Sequence, residues 1–128
     1  MKKETKIYQF DPLIYPFKLW IAITSDFSTL AEKFYQGYDK SELNTSFIEN
    51  HEAATYIVQQ KDGDKYYGSL IATTNKKYLT TKLIAHEATH SARDFWDHMN
   101  ESVTGVEADA YLVGWIAECI EKVKLCKV

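Results

Sequence analysis

A chain of 128 residues, 45% apolar and 14% aromatic, suits one compact domain over residues 1–128 with a core large enough to fold without disulfide or metal staples. Lys and Arg number 15 against 18 Asp and Glu, a net charge of −3; no basic surplus exists to hold a nucleic-acid backbone, so nucleic acid is excluded as the expected partner. No apolar run approaches the roughly 20 residues of a membrane span, and Asp11, Pro12 and Pro16 interrupt any signal-like core after the charged first six residues, which points to a soluble, cytoplasmic protein with no membrane partner.

From Lys6 to Thr24 the chain is rich in Ile, Tyr, Phe, Leu and Trp, which predicts extended structure with Phe17 to Thr24 as its strongest strand. Ser25 or Asp26 caps a helix with Leu30, Ala31, Phe34 and Tyr35 at helical spacing and Gly37 as its stop. Asp39 to Glu52 is polar apart from Leu43, Phe47 and Ile48 and reads as a connection. Two runs rich in β-branched and aromatic residues, Thr55 to Gln60 and Lys65 to Ala72, flank Lys61-Asp62-Gly63-Asp64 and predict a β-hairpin.

Thr80 or Thr81 caps the next helix, whose stripe Leu83, Ile84, Ala88, Ala92 and Phe95 runs on to about His98. Asn100 to Gly105 breaks the pattern. Val106 to Lys124 resumes it, with Ala110, Val113, Ile116, Ala117 and Ile120 as the expected buried face. The fold class is therefore α+β: a small twisted antiparallel or mixed sheet, its hairpin packed on a central helix that a C-terminal helix follows. Cys119 and Cys126 lie seven positions apart on that last helix, about 10 Å along its axis, too far for a disulfide.

The central helix carries His86-Glu87-Ala88-Thr89-His90. Histidines at i and i+4 share a helix face one turn apart and can converge on one metal ion. Glu87, beside the first of them, is placed to take a proton from bound water as general base. A catalytic zinc needs a third ligand from outside that helix. Glu107 is the choice, because sixteen residues separate it from His90 and it opens the final helix, where an acidic side chain suits the positive end of the dipole. Asp94, Asp97, His98 and His51 compete for the same position. Donors for a tetrahedral oxyanion are sought among Tyr111, Tyr66, Tyr67, Tyr78 and His98, with Tyr111 first because it lies one turn beyond Glu107.

HExxH with a downstream glutamate resembles the gluzincin metallopeptidases, and the small size resembles the minimal zincins called minigluzincins; the resemblance covers roughly Thr55 to Ile120. It implies a zincin-like fold, Zn²⁺ bound by His86, His90 and Glu107, water activated by Glu87, and a peptide or protein substrate paired along an edge strand, which falls on Tyr66 to Ala72. Tyr111 stands where larger gluzincins often place an aspartate four residues after the glutamate, so support for a ligating histidine falls to Asp94 or Asp109. The metzincin pattern fails, since Trp96 and Arg93 occupy its histidine and glycine positions. The expected activity is zinc-dependent peptide-bond hydrolysis. The alternative is a zincin-fold module that keeps the metal site but captures a protein partner without cutting it, and an accidental HExxH predicts no stoichiometric metal at all. Substrate, regulator and oligomeric state have no signature in the chain.

Overall fold

The computed structural model describes residues 5–46, 51–99 and 106–126. Phe47, Ile48 and the Asn100 to Gly105 break lie outside them. Six strands form one mixed sheet: β1 (Thr5–Phe10), β2 (Lys18–Thr24), β3 (Phe34–Gln36), β4 (Ser41–Glu42), β5 (Ala53–Gln60) and β6 (Tyr67–Thr73), in the spatial order β1-β2-β6-β5-β3-β4. β2 and β6 run parallel and every other pair is antiparallel. The described helices are α1 (Phe27–Lys33), α2 (Thr81–His98) and α3 (Val106–Lys124), with a 3₁₀ turn at Lys76–Tyr78. The chain is thus mixed α+β, and no described helix is long and apolar enough to cross a membrane.

Alternation along the strands sorts side chains onto two faces. Leu19, Ile21 and Ile71 join Ile84, Ala88, Ala92 and Phe95 of α2 and Leu112, Ile116 and Ile120 of α3 in one core. Trp20, Ala22, Leu70 and Ala72 point the other way, onto Leu30 of α1, Phe34, Ala54 and Val58. Both faces of β2 and β6 are therefore covered, and their sequences are apolar almost without interruption.

The hairpin is formed by β5 and β6, closed by Gln60 N–H to the Tyr66 carbonyl at 2.9 Å and turned through Gly63, whose φ is +69°. Thr80 caps α2 by accepting from the Leu83 N–H, and Asp26 caps α1. Three expectations are corrected. α1 stops at Lys33 rather than Gly37, because Phe34 and Tyr35 pair with Gln60 and Gln59 of β5 and Phe34 packs on Trp20. The buried face of α3 is Leu112, Ile116, Cys119, Ile120 and Val123, leaving Ala110 exposed, since α3 lies against α2 and β2 together. Lastly, β6 is hydrogen-bonded to strands on both sides, so it has no free edge along which a peptide can add.

Candidate functional site

α2 lies across β5 and β6, and the flank facing β5 carries the motif. His86 and His90 are solvent-exposed, with their Nε2 atoms 3.1 Å apart and their rings nearly perpendicular. Two imidazoles on one tetrahedral ion with metal–nitrogen bonds of about 2.0–2.1 Å place their nitrogens roughly 3.3 Å apart. The observed 3.1 Å separation is close to that spacing, and in the absence of an ion it is a hydrogen-bonding distance between the two rings.

Glu87 is only 5% exposed. Its Oε2 accepts the Thr55 hydroxyl of β5 at 2.5 Å. The pocket beside it, about 240 Å³, is lined by His51, Ala53, Ala54, Thr55, His86, Glu87, His90 and Asp94. Asp94, one turn beyond His90, accepts from Ser69 of β6 at 2.9 Å, and Ser69 in turn accepts from Ser91 at 2.7 Å. Both serines are fully buried. Desolvation is the main cause that pushes the Asp94 carboxyl up to about 7; Asp97 and Glu87 add to the shift and the Ser69 hydrogen bond opposes it.

Glu107 is exposed on the first turn of α3 and does not line this pocket. Among the described residues no three His, Cys, Asp or Glu side chains stand together as a ligand set. Of the competing positions, His51 and Asp94 are in the pocket and Asp97 and His98 are not. His98 stacks on Phe17 with centroids 4.4 Å apart, and its Nδ1 pairs with the Tyr38 hydroxyl at 3.1 Å. Tyr111, 76% exposed, lines a separate apolar groove with Leu13, Ile14 and Trp115. Tyr66 lies beneath the Lys18 ammonium, Tyr67 packs with Tyr38 and His98, and Tyr78 sits by Lys77. Asp109 is engaged by Arg93 and by Trp96 Nε1, a tie between α2 and α3 that leaves Asp94 as the carboxylate beside the histidines.

Thr55, Ser69 and Ser91 form part of the site without having been visible as such in the sequence. Ser91 did carry a signal, a hydroxyl in the apolar stripe of α2, and so did Ser69, in the apolar run of β6; Thr55 carried none. Comparison with family models, with curated proteins and with solved structures gives no match to this chain.

Proposed function

We propose that the chain is a zinc-dependent hydrolase of peptide bonds, a gluzincin-like metallopeptidase in which His86, His90 and Glu107 hold the ion. The observation that carries this reading is the 3.1 Å approach of the two Nε2 atoms beside a pocket that contains a buried glutamate. Zinc bound there supplies Lewis-acid activation of water and of the scissile carbonyl. Glu107 opens α3, and Asp109, two residues on, ties that helix to Arg93 of α2.

Glu87 acts through Oε1, the oxygen that Thr55 leaves unengaged. It accepts the proton of the attacking water and passes it to the leaving amine. Thr55 fixes the carboxylate rotamer, and burial keeps bulk water from competing for it. Metal analysis of purified protein is expected to find about one zinc per chain, lost in His86→Ala and weakened in Glu107→Ala. Glu87→Gln should retain the metal while peptide hydrolysis falls at least about a hundredfold. No zinc after reconstitution, or undiminished hydrolysis by Glu87→Gln, would falsify the reading.

A further inference from the structure

The two cysteines differ in what they can meet. Cys119 is 2% exposed within the apolar core, whereas Cys126 is exposed just past the end of α3. There its Sγ accepts from Lys76 Nζ of the 3₁₀ turn at 2.5 Å, a contact between positions 50 apart in the chain. Turn hydrogen bonds hold the backbone on both sides of it. The Cys126 N–H donates to the Val123 carbonyl at 3.1 Å, the Lys77 N–H to Asn75 Oδ1 at 2.9 Å and the Leu79 N–H to the Lys76 carbonyl at 3.0 Å. Among the described residues Lys76 pairs with no carboxylate, so the sulfur is the group that holds its ammonium. An amine and a thiol are both nucleophiles and do not join. Oxidation of the sulfur to a sulfenic acid makes it electrophilic, and the nucleophile then in contact with it is the Lys76 amine. Cys119, buried and seven positions back in the chain, cannot reach it.

We infer that Lys76 and Cys126 are an oxidative crosslinking site, joined as a sulfenamide between Nζ and Sγ when hydrogen peroxide oxidises the thiol. The inference is independent of the proposed hydrolysis. The Cys126 thiolate attacks the peroxide O–O bond and takes one oxygen as a sulfenic acid, while the other leaves as hydroxide and is protonated to water; sulfur loses two electrons and the peroxide gains them. The neutral Lys76 amine then attacks the sulfur, the S–O bond breaks, and the departing oxygen leaves as water with a proton from the nitrogen. One thiol, one amine and one peroxide thus give one S–N bond and two waters. Two equivalents of a thiol reductant reverse the bond and are themselves oxidised to a disulfide. The Lys76 hydrogen bond, aided by the charges of Lys76 and Lys6 and opposed by desolvation, holds the Cys126 thiol below its ordinary range and favours the thiolate that peroxide attacks. The same hydrogen bond holds the Lys76 ammonium above its ordinary range; the uncharged sulfenic acid removes that hold and eases release of the amine's proton. The finished bond ties the end of α3 to the turn that leads into α2.

The test is intact-mass and peptide-mapping spectrometry of the full chain after a small excess of hydrogen peroxide. The product should be lighter than the reduced protein by two hydrogens, with the peptides carrying Lys76 and Cys126 joined, and a thiol reductant should restore the starting mass. Cys119→Ser should crosslink as the parent does. Lys76→Arg keeps a cation beside the thiol but offers a guanidinium, a far poorer nucleophile; its Cys126 should stop at the sulfenic acid, which dimedone traps, with no joined peptides. Lys76→Met and Cys126→Ser should give neither product. Because the bond closes a long loop in the unfolded chain, the crosslinked parent should unfold at higher urea than the reduced one, and Lys76→Arg treated in the same way should show no rise. Cys126 recovered as a sulfinic acid or as a disulfide with a second copy, with Lys76 still open to trypsin, overturns the inference. So do joined peptides that retain the peroxide oxygen, or crosslinking that persists in Lys76→Met.

Discussion

At the scale of single residues, the contact between Thr55 and Glu87 joins the sheet to the candidate catalytic helix, and its value lies in what its loss would leave behind. A buried carboxylate deprived of its donor costs about 1–3 kcal/mol, so Thr55→Val should lower stability in urea by that order and Thr55→Ser should restore it. Asp94 gives a pH-dependent counterpart. Its folded carboxyl titrates at about 7, against roughly 3.9 in an unfolded chain, so the folded protein binds that proton more tightly. Stability therefore falls as pH rises through this interval, and the loss is complete above the folded value. Asp94→Asn removes the penalty; with chelator present, its urea midpoint should exceed the parent's at about pH 8, by ~1–3 kcal/mol in stability, and the gain should vanish near pH 4. His86, Glu87 and His90 were legible because spacing along one helix fixes their faces. Thr55 and Ser69 were not, because their meeting with Glu87 and Asp94 depends on how strands pair and where the helix crosses them, which local periodicity does not encode.

The elements divide along the same line. α2 and α3 end where their apolar periodicity and polar flanks end, and the hairpin follows from its Asp-Gly turn. What local pattern missed were the pieces decided by pairing: β3 took over the last turn expected of α1, β4 joined the sheet at its edge, and β6 became internal. The last was foreshadowed by Gly68-Ser69-Leu70-Ile71-Ala72, a run without polar alternation of the kind that marks strands covered on both faces. Gly68 shows how tightly β6 meets β2. A Cβ there would fall 2.5 Å from the Lys18 carbonyl oxygen and 2.4 Å from Trp20 Cζ3. The backbone carbonyl cannot swing aside as a side chain could, so Gly68→Ala should destabilise by about 1–3 kcal/mol. Thermal unfolding followed by tryptophan fluorescence measures it, and an unchanged midpoint would mean that the close approach of the two strands tolerates a methyl group.

Across the whole molecule, one sheet carries an apolar layer on each face, and the candidate site lies where α2 crosses β5 and β6, so the integrity of the helical layer decides whether the site exists. Two free thiols report on that layer from opposite sides. Cys119 lies on the buried face of α3, and burial pushes its thiol up to about 12, with Lys122 opposing and Glu118 adding. Cys126 is exposed past the end of α3, where the hydrogen bond from Lys76 holds its thiol below the ordinary range. Since the thiolate is the reactive form, a thiol reagent should modify Cys126 quickly in the native protein and leave Cys119 untouched, and Lys76→Met should slow the first reaction without affecting the second. Cys119 then becomes accessible only when α3 leaves the sheet. If the layers on the two faces unfold as one unit, its labelling should rise with urea along the same curve as the loss of circular dichroism. Labelling that comes earlier would show that α3, and Glu107 with it, detaches while the sheet persists, and the hydrolysis proposed for this site should then fail ahead of global unfolding.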